Sequence, residues 1–517
     1  MKHLFVALFS LGLISSSQAQ ITWSQDVAPI LFDHCTKCHH EGGIGPSAYM
    51  TYDDAYNDMA GIYGAISTGQ MPPWPADPNY RHYAHENVLT PQEIQTIQDW
   101  VVGGGQSGDL ASAPATPTYT NASELPAVDV SMQTPLYTST ANNQDIYRTF
   151  VIPSNLTADG WVDAFEILPG NASIVHHVVV YYDPSGECVT MDNNDPGPGF
   201  QTSGTGGGLP SAAKFVAVWA PGKGVNSLPF GFAERMEAGG YYCVEVHYPA
   251  GSNGQEDQTT VNIHYTDDPT PREVWLNPIL QHAPPILQQS FLYIPANQTA
   301  TFNEVYTVPL DATIFSVIPH MHKVGRSIIS YADLPSGETV PLISIPSWNF
   351  KWQLGYDFSQ LIHLPANTQL KADAFYDNTT ANPYNPYNPP QIIYAGEGTN
   401  NEMMIVFFAY TYYLPGDENI VVDPNVSVPT LTERSFEWSL YPNPTNDVLT
   451  VKTFASRFEN FDVRVTDVEG RIVLRERYTM PSGMQQHSLD VSALPAGIYC
   501  ISLVGASQQY TQRFVVN

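Results

Sequence analysis

The sequence predicts a multidomain chain: a small all-α domain, two all-β sandwiches of jelly-roll type, and a small C-terminal β-sandwich. Three observations predict this. The chain has 517 residues, several times what one core of about 100–200 residues organises. Residues 21–109 read as short helices and loops, whereas from Val128 onward β-branched and aromatic runs recur between Gly, Pro, Asn and Asp turns. Between them, residues 110–127 are rich in Ala, Pro, Thr and Ser without apolar periodicity, which reads as a linker.

In chain order, residues 1–19 read as an export signal. Lys2 supplies the positive start, Leu4 to Ile14 the short apolar stretch, and Ser17-Gln18-Ala19 the small-residue cleavage site. No later stretch reaches the roughly 20 apolar residues of a membrane helix, so no transmembrane segment is expected. In the α region, Thr90-Pro91-Gln92-Glu93 is a capping box with proline at the first helical position. Ile94, Ile97 and Val101 follow at helical spacing, and Gly103-Gly104-Gly105 stops the helix. The β region divides into sandwiches over 128–280 and 281–415, carrying strands such as Val178–Tyr182 and Val244–Tyr248. Residues 416–438 form a second linker, and 439–517 a last β unit in which Tyr499, Ile501 and Leu503 share one strand face.

Twenty basic residues face 50 acidic ones, a balance that repels phosphate backbones and excludes nucleic acid as a partner. Of the five cysteines, Cys188 and Cys243 are a possible disulfide in an oxidising compartment, a pairing the sequence leaves open.

Chemistry begins at Cys35-Thr36-Lys37-Cys38-His39, the attachment pattern for one covalent haem c. The thiols bond to the porphyrin, and His39 is placed to take an axial site on iron. Met71, in the proline-flanked loop Gly69–Trp74, is the candidate for the opposite site; His34, His40, His82 and His85 are the weaker alternatives. Together with Gly42–Pro46 and Met71–Asp77, the motif resembles exported bacterial c-type cytochrome domains over nearly all of 21–109.

In the β region, His176-His177, His247 and His320-Met321-His322 fall on or beside strands. Residues two apart share a strand face, so His320 and His322 can hold one metal. Adjacent His176 and His177 can do so only where the backbone is irregular. Imidazoles suit copper, zinc, iron or nickel, and a thioether such as that of Met403 selects copper. The plainer reading makes each histidine a hydrogen-bonded core residue and Met403 a packing residue.

The order His-His, Val-His-Tyr, His-x-His, Glu-Met resembles the copper type II, ascorbate-dependent monooxygenases, a family that includes peptidylglycine α-hydroxylating and dopamine β-monooxygenases. Ala374–Asn378 and Gly396–Met403 support it, and the resemblance spans roughly 130–415. It implies two copper ions: His176, His177 and His247 match the electron-transfer site, and His320, His322 and Met403 the catalytic site that activates dioxygen. His264, in Val261–Tyr265, competes with His247. Peptide-amidating members carry arginine where this chain has Ile318, and the polar residues after the ligand methionine are replaced by Ile405 and Phe407. An apolar, uncharged substrate pocket is therefore expected, and peptide amidation is not.

At the C-terminus, Leu440–Thr445, Asp467–Arg471 and Leu494–Tyr499 resemble the sorting domain of the Por (type IX) secretion system. That resemblance implies the secretion machinery as a partner, passage through the periplasm, and release or surface attachment. The functional expectation is a secreted copper monooxygenase, acting with O2 on a C–H bond of a small-molecule or peptide substrate. An external donor reduces the fused haem, which passes the electrons on. A copper–haem electron carrier without a substrate, and a non-catalytic β-sandwich binding protein, remain the alternatives.

Overall fold

The computed structural model describes residues 20–517 apart from 44, 120–122, 205–207, 222, 397, 424–435, 456–458, 468–470, 481–482 and 506–508. The export signal expected at 1–19 lies outside the described residues, as do Val468-Glu469-Gly470 of the tail motif, Glu397 and Ile44. Among the described residues strand outweighs helix, 41% against 12%, so strand pairing decides where most core side chains go. It divides into two compact units: residues 1–74 with 87–122, and 75–86 with 123–517.

The described elements of the first unit are short helices, Trp23–Val27 running into Ala28–His34, then Tyr52–Asn57, Met59–Ser67 and Pro91–Val102. Val27, Leu31, Ile62, Ile66, Ile97 and Trp100 are buried together as its core. The capping box forms as its residues require: Glu93 N–H donates to Thr90 Oγ1 at 3.2 Å, and Thr90 N–H to Glu93 Oε2 at 2.7 Å.

Residues 75–86 do not stay with these helices, although the sequence reading kept 21–109 whole. They lie against the second sandwich. Tyr83 is buried and its hydroxyl donates to Leu342 O at 2.7 Å, Arg81 Nη1 donates to Pro341 O at 2.8 Å, and Ala84 N–H donates to Asp357 O at 2.8 Å. A proline-rich stretch without period carries no sign of which core its Tyr and Arg will join.

The first sandwich has a five-stranded antiparallel sheet ordered Phe200–Thr202, Ile146–Pro153, Tyr241–Tyr248, His177–Asp183 and Lys214–Trp219. A second sheet, led by Gly160–Leu168 and Thr260–Tyr265, faces it, with Phe165 edge-on to Tyr242 at 6.5 Å. The second sandwich pairs the sheet Trp275–Gln281, Ile405–Tyr412, Ala312–His320, Tyr356–Leu364 with the sheet Gln298–Thr307, Gln369–Asn378, Gly325–Asp333, Thr339–Ile345. Trp275–Gln281 pairs with Ile405–Tyr412, while Arg272–Glu273 still pairs with Phe232–Met236. The boundary therefore falls at Val274, not at 280: both flanking runs are strand-like, and only pairing assigns them. Residues 436–517 form a further two-sheet unit around Leu449, Val463 and Ile501. Its first strand, Phe436–Tyr441, begins inside the segment read as linker.

Cys188 and Cys243 meet, buried, against Asp183, with their ligand atoms within 4.8 Å of one another. Both are free thiols in this structure, so the possible disulfide is not formed. Asp183 is already engaged, accepting the N–H of Ser185 and of Cys188 at 2.9 Å each.

One inward position of the second sandwich breaks the apolar pattern. Glu304 is fully buried and neither carboxyl oxygen has a partner; burial pushes its pKa up to about 9. An acid raised in this way favours the fold most below its unfolded value of about 4.3, and that contribution is lost as pH climbs through about 9. Glu304→Gln is accordingly expected to stabilise the protein at pH 8.5 by up to about 6 kcal/mol, and hardly at all at pH 4.5. Thermal unfolding at the two pH values measures this, and equal shifts at both would refute it.

Candidate metal centres

Two strand ends and one cross-strand register build the first cluster. His247 sits opposite His177 in the antiparallel pairing of Tyr241–Tyr248 with His177–Asp183, so both rings lie on one face. His176 precedes the first residue of that strand, and its N–H donates to His247 O at 2.9 Å. This is the irregular backbone that two adjacent histidines require to share a site. The rings converge through one atom each: His176 Nδ1 is 3.2 Å from His177 Nδ1, and His247 Nδ1 is 3.4 Å from His177 Nδ1. The ligand atoms of all three lie within 4.8 Å of one another.

Electrostatics keep these rings neutral, the form that ligates metal. Burial, and then the neighbouring His247, push His176 down to about 3. Burial lowers His177 well below the usual range, assisted by His247 and His176. His247 Nε2 faces Asp145 Oδ2 at 3.5 Å. Burial raises the Asp145 carboxyl, but the bonds from His247 and from Ala250 N–H outweigh it and hold Asp145 well below the usual carboxylate range. A carboxylate on the far nitrogen of a metal-binding imidazole fixes its tautomer. Tyr147 stacks on His247 at 4.2 Å and fixes the ring plane.

The second cluster sits at the end of Ala312–His320. His320 and His322 are buried, with ring centres 5.1 Å apart and planes at 90°. His322 Nδ1 bonds Asn401 O at 3.1 Å, which makes Nδ1 the donor and leaves the lone pair on Nε2. His320 Nε2 is buried with no hydrogen-bond partner. Burial lowers both, His320 to about 4.

Met403 is buried, and its backbone is tied to His322 by a single carboxylate. Glu402 Oε2 accepts the N–H of His322 at 2.8 Å and of Met403 at 3.1 Å, while Oε1 accepts those of Val324 at 2.8 Å and Gly325 at 3.2 Å. Tyr376 OH donates to Met403 O at 2.7 Å. Beyond Met403, Ile405 and Phe407 pack with Phe215, Leu276 and Ile318.

The surroundings of Ile318 correct one expectation. It also lines a cleft with Leu276, Val216, Lys223, Asp357 and Glu234. A Cβ at Gly355 would lie 3.2 Å from Ile318 and 3.8 Å from Lys223 Nζ, which pairs with Asp357 at 3.4 Å. The space is apolar toward Met403 and charged on the other side; Lys223 comes from the other sandwich, so strand pattern around Ile318 gives no sign of it.

His264 does not join the first cluster. It lies on the other sheet and bonds Asp163 at 2.6 Å, which raises its pKa. Asp145 and Glu402 have no role assigned by sequence. Asp145 lies in a polar loop with nothing to mark it, whereas Glu402 stands beside Met403 in the Glu-Met motif.

In the helical unit, Cys35 follows the helix Ala28–His34, and the N–H groups of Cys38 and His39 both donate to Cys35 O, at 3.1 and 2.9 Å. One helical turn thus places both thiols and the imidazole. His39 Nδ1 donates to Ser47 O at 2.7 Å, leaving the lone pair on Nε2, and the ring stacks on Tyr49 at 4.6 Å. Any Cβ at residue 45 would lie 2.6 Å from His39 Nδ1, so Gly45 is required there. Burial pushes Cys35 up to about 12 and also raises Cys38, keeping both as thiols. Met71 lies half-buried on the loop after Met59–Ser67, with its N–H bonded to Ala65 O at 3.3 Å. His40 is committed to Thr36 O and stacks on Tyr119, and His34 bonds Asn87. His82 and His85 belong to the other unit.

Residues 439–517 match the family model of a secretion system C-terminal sorting domain. The chain is thus addressed for secretion or the cell surface through that machinery, and among the described residues no helix is long and apolar enough to cross a membrane. Among solved structures it is similar to a Faecalibacterium prausnitzii β-glucuronidase (13% identity, TM-score 0.14, 43% of this chain and 38% of that one). It is also similar to a putative β-galactosidase from Bacteroides fragilis (13%, 0.13, 43% and 33%). A β-D-glucuronidase of Dictyoglomus thermophilum is a third (11%, 0.13, 47% and 43%). The chain spans less than half the length of each, and the superpositions are too poor to bear on function.

Four N–H groups aimed at one buried carboxylate make Glu402 costly to alter. Glu402→Gln turns a donor toward donors, and is expected to destabilise the protein by about 3 kcal/mol. Chemical denaturation measures it, and an unchanged midpoint would show that the carboxylate does not hold this turn.

Proposed function

We propose that the chain is a secreted copper-dependent monooxygenase that hydroxylates a C–H bond of an organic substrate with dioxygen, using electrons delivered through a haem c on the same chain. The observation that carries this reading is the convergence of three Nδ1 atoms within 4.8 Å, in the same unit as a second pair of buried imidazoles. Buried lone pairs without hydrogen-bond partners are costly, and a bound cation is what relieves them. The donor set fits copper: neutral imidazoles at both clusters, with the thioether of Met403 favouring Cu(I) at one. Copper held there would supply one-electron chemistry with dioxygen, and a haem c, which Cys35, Cys38, His39 and Met71 would hold, would supply the electrons.

The chain's own residues do the rest. His176, His177 and His247 present Nδ1 from one strand end and its neighbour, with Asp145 and Tyr147 fixing the His247 ring. His322 presents Nε2 because Asn401 O takes its Nδ1 proton, and Glu402 holds its backbone to that of Met403. Phe215, Leu276, Ile318 and Phe407 exclude water beside Met403 and would receive the apolar part of a substrate. The Lys223–Asp357 pair offers polar contacts across the cleft.

Metal analysis tests the reading directly. Two coppers per haem are expected, together with oxygen uptake by the reduced protein in the presence of apolar C–H donors. Met403→Ile is expected to abolish turnover while copper at His176, His177 and His247 is retained. A β region that takes no metal would point to the binding protein, and two coppers without substrate-linked oxygen uptake to the electron carrier.

A further inference from the structure

The two histidine clusters are joined by one side chain. Phe350 lies on the connection between Thr339–Ile345 and Tyr356–Leu364. Its ring stacks near-parallel to His176, 23° apart with centres at 5.7 Å, and meets His322 edge to face, at 88° and 5.9 Å. The same connection is pinned to the second cluster on either side of Phe350. Trp348 Nε1 donates to His322 O at 3.1 Å, and the Gln353 side chain bonds His320.

We infer that Phe350 is a spacer that couples the two candidate metal sites, so that a cation held at His176, His177 and His247 weakens the binding of a second at His320, His322 and Met403. This rests on the proposed two-metal reading. The argument is electrostatic. Rings that both touch Phe350 stand at most about 12 Å apart, centre to centre. A hydrocarbon ring along that line keeps out water, which would screen the two charges. With an effective dielectric of about 20, two unit charges at that separation interact by roughly tenfold in an equilibrium constant; with water between them the factor falls below about twofold. Ring contact with both imidazoles also means that Phe350 cannot reorient for one cluster without disturbing the other. Asp145 and Lys323 near the first cluster, and Lys351 beside His176, set the absolute affinity of each site but not the dependence of one on the other.

The test is an anaerobic titration of the full chain with Cu(I) supplied from a competing chelator. Affinity at His320, His322 and Met403 is compared with the first cluster filled and with it disabled by His177→Ala and His247→Ala together. With Phe350 present, the filled protein is expected to bind about tenfold more weakly. Phe350→Ala and Phe350→Gln, which admit water or an amide, are expected to bring the ratio below about twofold, whereas Phe350→Leu keeps most of it. Because Phe350→Gln leaves a smaller cavity than Phe350→Ala, it decides the matter if Phe350→Ala fails to fold. A ratio near one in the parent protein, or one that survives both polar and small substitutions, overturns the role of Phe350 while leaving the two-copper reading intact. Fewer than two bound Cu(I) overturns both.

Discussion

The register of one antiparallel strand pair underlies the first candidate metal centre. Tyr241–Tyr248 and His177–Asp183 align so that His247 falls opposite His177, and the strand begins one residue late, freeing His176 to turn toward them. A shift of one residue would send His247 to the other face and dissolve the cluster. That register is itself over-determined, because Tyr242, Val244 and Val246 fill the sandwich core on the alternate face. Packing energy therefore enforces the geometry of the polar site, which on its own contributes little to stability.

At the second centre the constraint is a carboxylate. His322, Val324, Gly325 and Met403 would otherwise leave four N–H groups unpaired in a buried turn. Glu402 satisfies them all, at the cost of being buried itself; burial pushes it up to about 8 against the four donors that favour its charged form. Such a residue stabilises one backbone arrangement by making every alternative worse. The two centres thus use opposite devices, regular pairing in one and a buried polar knot in the other, each bringing together residues far apart in the chain.

Along the chain, the modules divide labour by chemistry. The helical unit sets two thiols and one imidazole on a single turn, the β unit gathers five imidazoles and a thioether, and residues 439–517 carry the address. Cys243 lies on the strand that carries His247, four residues away, and meets Cys188 from the helix Glu187–Asn194.

Local pattern made several features legible in the sequence alone. The capping box at Thr90, the Cys35–His39 turn and the strands around Val178 and Val244 all form where short-range chemistry puts them, because each depends on neighbours within a few residues. The candidate ligands were likewise readable as residue types, and His176, His177 and His247 converge as a set. Tertiary structure alone grouped residues 75–86 with the sandwiches, moved the sandwich boundary to Val274, and set Asp145, Lys223 and Phe350 beside residues distant in the chain. Each of these choices turns on which strand pairs with which, or on a partner supplied from across an interface. Pairing is decided by the burial of whole sheet faces, a quantity that no local window of sequence contains.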